Sequence, residues 1–148
     1  MNNFISLFAN LHSFFAYVFI VTTLISIVYA AIGYFGKKTY TDTQFTLAKF
    51  AFIASHIQLL LGICYWVVLG GTSIFGRMRE IMGNSDLRKM FIEHPFTNII
   101  AIVILSIGYI KIKKSQDDSF RNKTNLIFYA ISFVLILSRI PFNKWLNQ

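Results

Sequence analysis

The sequence predicts an all-α membrane protein: four transmembrane helices in a bundle, with an amphipathic surface helix between the second and third. Three observations carry this. The chain has 148 residues, 55% of them hydrophobic and only 14% charged, where a soluble domain carries about 25% charged residues. The apolar residues gather into four runs of the length a bilayer demands, roughly 20 residues each. Lys and Arg collect mainly between those runs, as in membrane loops. The formal net charge of +8 is therefore read as loop charge, with the lipid bilayer as partner and no nucleic acid. Residues 1–148 make a single domain. Cys64, the single cysteine, sits in an apolar run and has no internal disulfide partner.

The first span runs from about Leu7 to Phe35 and stops at Gly36-Lys37-Lys38. Met1 to Phe4 carries no Lys or Arg, and the apolar run continues past it without a cleavage site, so this stretch reads as a retained helix. The second span opens at Thr41-Asp42-Thr43-Gln44, which has capping-box form, covers 43–69 and stops at Gly70-Gly71. The third runs from Pro95 to Ile112; proline suits a first helical turn, where its missing N–H has no partner to lose. The fourth runs from Thr124 to Ile140 and is followed by Pro141 and an interfacial Trp145. Between the second and third spans, Ile74, Phe75, Met78, Ile81 and Met82 recur at helical spacing among Arg77, Arg79 and Glu80. A further turn from Ser85 to Phe91 mixes Leu87, Met90 and Phe91 with Arg88 and Lys89. That pattern predicts one or two helices lying on the membrane surface, the plainer alternative being a polar loop.

Lys37, Lys38, Lys111, Lys113, Lys114, Arg121 and Lys123 fall on one side, with Lys49 nearby. The other side holds Arg77, Arg79, Arg88, Lys89 and Lys144, with Arg139 at its edge. The positive-inside bias assigns the first set to the cytoplasm and both termini to the far side.

Helical stepping predicts which faces turn inward. In the first span His12, Ala16, Phe19, Thr23, Ser26 and Ala30 form one stripe; in the third, His94, Asn98, Ala101, Leu105 and Gly108; in the fourth, Asn125, Tyr129, Ser132, Ile136 and Arg139. Small and polar residues belong against other helices, because lipid offers no hydrogen-bonding partner. In the second span Ser55, His56, Gln58 and Gly62 spread over a wider arc, and Gln58 reads as packing glue.

All three histidines therefore lie in or at the edge of membrane helices, where ionisable groups are costly and point to function. Each also has a structural reading. His12 and His94 sit near the outer interface and can simply meet water, and His56 can hydrogen-bond between helices. At a rise of about 1.5 Å per residue, His56 lies roughly 20 Å, His94 roughly 26 Å and His12 roughly 35 Å from the cytoplasmic helix ends. Two histidines grip one flat cofactor iron only at similar depth. That favours His56 with His94, leaves His12 with His94 open if the first helix tilts, and disfavours His12 with His56. Arg139 calls for an anion: a haem propionate, Glu93, a lipid phosphate, or water reached by snorkelling. The six acidic residues all lie outside the spans, so a proton relay built on membrane carboxylates is not expected. The sequence holds no Cys-x-x-Cys-His, glycine-rich phosphate loop or His-Glu-x-x-His.

Leu11-His12-Ser13, Ser55-His56-Ile57-Gln58-Leu59-Leu60-Leu61-Gly62, Glu93-His94-Pro95 and Leu137-Ser138-Arg139-Ile140-Pro141 resemble a family of small four-span bacterial membrane proteins described as cytochrome-b-like. The similarity covers nearly the whole chain, and the segment around His56 is loosely similar to a histidine helix of haem A synthase. The resemblance implies b-type haem in a four-helix bundle of the bacterial inner membrane, where the charge bias makes both termini periplasmic. The expected ligand pair is His56 and His94, with His12 and Arg139 completing the cofactor site. Two imidazoles leave iron no open position, which favours electron transfer, as a subunit of a larger membrane complex, over catalysis. The alternatives are a haem-free accessory or scaffold subunit and a quinone or other small-molecule site lined by the same residues.

Overall fold

The computed structural model describes residues 2–140, and every regular element among them is helical. Pro141, Lys144 and Trp145 lie outside the described residues. In chain order the elements are α1 (Asn2–Phe35), α2 (Asp42–Val68), a 3₁₀ stretch (Gly71–Arg77), α3 (Met78–Gly83), α4 (Ser85–Arg88), a π turn (Lys89–Glu93), α5 (His94–Lys114) and α6 (Asp118–Ser138). The four long helices pack in a ring: α1 against α2 and α6, and α5 against α6 and α2.

Three stretches are long and apolar enough to cross a membrane: 3–35, 42–68 and 85–114. The third is one continuous rod made of α4, the π turn and α5. Helix α6 carries Asp118, Arg121 and Lys123 in its first two turns, and its apolar part, Thr124 to Ser138, rises only roughly 22 Å.

The bundle is apolar outside, and its interior mixes apolar and small residues with buried polar ones. Phe14, Val21, Leu24, Ile53, Leu60 and Val134 are exposed, while Thr23, Ser26, Ser55, Asn122, Asn125 and Ser132 are fully buried. Helical stepping accounts for the inner faces: Phe19, Thr23, Ser26 and Ala30 of α1, Ala101, Leu105 and Gly108 of α5, and Asn125, Tyr129, Ser132 and Ile136 of α6 are all buried. Two hydroxyls bond to backbone carbonyls of other helices, Tyr129 Oη to the Ala48 carbonyl at 2.8 Å and Ser132 Oγ to the Ala101 carbonyl at 2.7 Å.

Local chemistry sets the helix ends. The Thr41 hydroxyl accepts the Gln44 N–H at 3.2 Å and the Gln44 side-chain oxygen accepts the Thr41 N–H at 2.9 Å, completing the capping box. Asp117 caps α6 by accepting the Phe120 N–H at 2.9 Å, so α6 starts a turn and a half before the expected Thr124. Helix α1 ends in a Schellman motif. Lys38 N–H reaches the Gly33 carbonyl at 2.9 Å and Lys37 N–H the Tyr34 carbonyl at 3.3 Å. The left-handed position falls on Lys37 (φ 49), one residue past the glycine that suits it.

A polar latch closes this lysine-rich end. Gln44 Nε2 donates to Asn122 Oδ1 at 2.9 Å and to the Tyr29 carbonyl at 3.0 Å, and Asn122 Nδ2 donates to the Lys38 carbonyl at 3.0 Å. Asn125 Nδ2 donates to Tyr40 Oη at 3.0 Å, and Ser26 Oγ donates to Asn125 Oδ1 at 3.2 Å. Gly33 leaves the room Asn122 occupies; a Cβ there collides with the Asn122 amide. Burial pushes the Tyr40 phenol up to about 12, against the opposing pull of the Asn125 hydrogen bond and the Arg121 charge. Arg121 lies 4.3 Å over the Tyr40 ring.

At the opposite end the segment between α2 and α5 builds a small core of its own. Ile74, Ile81 and Phe91 are buried against Trp66, Leu69 and Met90. The apolar set seen in the sequence therefore divides: Ile74 and Ile81 turn inward, while Phe75, Met78 and Met82 are exposed.

Candidate functional site

Two of the three histidines, His12 and His94, meet at the end of the bundle that carries this segment. A cavity of about 370 Å³ opens there between α1, α2, α5 and α6, near the lower end of the roughly 300–1,000 Å³ of small-molecule sites. Its walls are apolar, with Phe19, Ile20, Leu59, Ile102 and Ile136 among them, and its polar groups are few: His12, Gln58, His94 and Asn98 chief among them.

His12 of α1 and His94 of α5 face each other with ring centroids 6.3 Å apart and planes at 84°. Each imidazole is held by an amide from a helix wall. Gln58 Nε2 lies 3.1 Å from His12 Nδ1. Asn98 Nδ2, one turn along α5 from His94, lies 3.0 Å from His94 Nε2. His94 Nδ1 is 3.0 Å from the Arg139 carbonyl, and since that carbonyl only accepts, the proton of the neutral ring sits on Nδ1 and the lone pair on Nε2. Both amide oxygens, Gln58 Oε1 and Asn98 Oδ1, are buried without a hydrogen-bond partner. Gly62, one turn after Gln58, makes space for the His12 ring; a Cβ there comes within 3.1 Å of His12 Cε1.

His56 is elsewhere. It stands exposed on the outer face of α2, its ring 4.4 Å from that of Phe52 and its Nδ1 2.8 Å from the Phe52 carbonyl. Helix phase explains this: His56 is two residues from Gln58, about 200° around the helix axis, so a face that brings Gln58 to the cavity turns His56 away. The similar depth of His12 and His94 has an equally plain origin. Helix α5 continues to Lys114, past the expected Ile112, which lifts His94 to about 30 Å from its lysine-rich end against about 35 Å for His12. The structure thus brings together His12 and His94 and leaves His56 apart from both.

The Arg139 side chain lies half exposed beside the site, paired with Glu93 at 3.4 Å, while Glu93 also takes Arg88 at 2.9 Å. Glu93 is thus the partner observed among the anions considered for Arg139. Gln58 and Asn98, read from the sequence as packing residues, here contact the two imidazoles. Their signal was spacing: Asn98 follows His94, and Gly62 follows Gln58, by four residues, which stacks each pair on one helix face.

Among the described residues no group of three or more His, Cys, Asp or Glu is placed to hold a bare metal ion. Two imidazoles on opposite sides of one iron, each bonded at about 2 Å, hold their ring centroids roughly 6 Å apart. The His12–His94 separation of 6.3 Å agrees with that spacing. In comparisons with known proteins, no family model, curated protein or solved structure matches the chain.

Proposed function

We propose that this chain is a multi-pass protein of the bacterial inner membrane that holds one b-type haem between His12 and His94 and passes electrons as a subunit of a larger membrane complex. The observation that carries this reading is the imidazole pair, 6.3 Å between centroids, on the wall of an apolar cavity. The resemblance of the histidine and arginine segments to cytochrome-b-like proteins supports it. The reading takes α6 as a fourth span, completed by Arg139 and Ile140, with its charged first turns at the interface. The lysine-rich end then faces the cytoplasm, and Phe75, Met78 and Met82 rest at the outer membrane surface.

The chain's own groups account for the chemistry at the site. His94 donates Nδ1–H to the Arg139 carbonyl and would hold iron through Nε2, the usual partner arrangement of a metal-bound histidine, with the Asn98 amide, now 3.2 and 3.0 Å from its two ring nitrogens, moved aside. His12 would hold iron through Nε2 if the Gln58 amide, now 3.1 Å from Nδ1 and 3.4 Å from Nε2, turned so that its unpartnered Oε1 accepted the Nδ1 proton. Arg139 is within reach of exchanging Glu93 for a propionate, a charge-assisted pair of the same kind. Haem held there would supply one-electron transfer.

The test is the pyridine haemochrome and redox spectrum of detergent-purified protein expressed with added haem. Wild type and His56→Ala carry b-type haem; His12→Ala and His94→Ala lose it or turn five-coordinate. A wild type that purifies colourless sinks the reading, and the imidazole pair becomes an interhelical contact in a haem-free scaffold subunit.

A further inference from the structure

The π turn that leads into His94 has a backbone deficit that a distant side chain makes good. In an α-helix each carbonyl accepts the N–H four residues on. For Phe91 that residue is Pro95, which has no N–H. The π turn passes the His94 N–H back to the Lys89 carbonyl, five residues earlier, and leaves the Phe91 carbonyl without a backbone donor from Pro95. The Trp66 indole of α2 supplies one, Nε1–H to the Phe91 carbonyl at 3.0 Å. The indole is itself seated: it packs on the backbone at Gly71, where a Cβ collides with the ring. Phe91 is 5% exposed, so the carbonyl has little access to water and its bond to Trp66 is costly to lose.

The consequence is orientation. A π turn inserts one residue into the helical phase and rotates everything after it by about 100° relative to an uninterrupted α-helix. His94 is the first residue after the turn, so the turn decides where its imidazole points. We propose that Trp66, together with Pro95, is a positioning device that holds the π turn and thereby aims His94 at His12. The haem readout below rests on the proposed function; the orientation of His94 does not.

Trp66→Phe keeps the aromatic ring and removes the N–H. In apo-protein labelled with ¹⁵N-histidine, the His94 ring resonances move while those of His56 stay, because the Arg139 and Asn98 contacts shift with the ring. In haem-loaded protein the low-spin spectrum weakens and haem is released roughly 10-fold more readily, the usual scale for losing a supporting residue. Trp66→Phe/Pro95→Ala returns an N–H to residue 95 and recovers the thermal midpoint, yet the His94 resonances remain displaced because the α register replaces the π turn. Should Trp66→Phe fold poorly, Pro95→Ala alone serves: its N–H competes for the Phe91 carbonyl and displaces the same resonances. Unchanged His94 resonances in a folded Trp66→Phe protein overturn the proposal, even if its thermal midpoint falls. Displaced resonances in a protein that never binds haem uphold it and refute the haem reading alone.

Discussion

The two ends of the bundle use the same side chains to opposite ends. At the lysine-rich end the amides of Gln44, Asn122 and Asn125 are spent on one another, on a buried phenol and on loop carbonyls. At the cavity end the amides of Gln58 and Asn98 touch only imidazoles, and their oxygens are buried without partners. A buried polar group without a partner costs about 1–3 kcal/mol. The amides of one end are fully partnered, although Arg121 Nε beside them is buried without an acceptor, whereas at the other end the amide oxygens themselves are left over, and a ligand or a rearrangement there has acceptors to satisfy.

The contrast breaks most sharply at Asn122. Asn122→Leu removes two bonds and strands the Lys38 carbonyl, and about 2 kcal/mol of stability goes with them. The measurement is reversible unfolding in detergent or bicelles. A loss no larger than that of an exposed position such as Lys123→Leu removes the distinction between the ends. The cavity end is expected to behave in the reverse sense. Gln58→Leu removes an amide whose oxygen is buried without a partner, so stability changes by less than about 1 kcal/mol, while haem retention falls roughly 10-fold for want of an acceptor on His12 Nδ1. Haem titration of both proteins checks this, and equal retention removes Gln58 from the site.

The smallest effect concerns the turn that feeds the latch. Lys37 holds a left-handed conformation beside Gly36, a geometry that costs a non-glycine residue about 1 kcal/mol. Lys37→Gly is therefore expected to raise stability by somewhat under about 1 kcal/mol, since glycine also loses more chain entropy on folding. A fall in the thermal midpoint shows instead that the lysine side chain makes a compensating contact.

Helical periodicity and end chemistry by themselves determined a great deal of this protein. The stripes through Thr23, Ser26, Ala101, Leu105, Asn125 and Ser132 are buried because a 3.6-residue repeat leaves no choice once one face is polar and the other is Leu, Ile and Phe. The capping box at Thr41 and Gln44 formed as spelled, because its two bonds span only three residues. Tertiary structure alone decided which histidines meet. That choice depends on how far α5 extends beyond Ile112, on a phase of about 200° between His56 and Gln58, and on a π turn whose carbonyl finds its donor 25 residues away at Trp66. Each is small along its own helix, but together they add an error of several ångströms and half a turn, more than the separation of two imidazoles. Local rules carry the phase within one helix; the alignment between helices is set only when they pack.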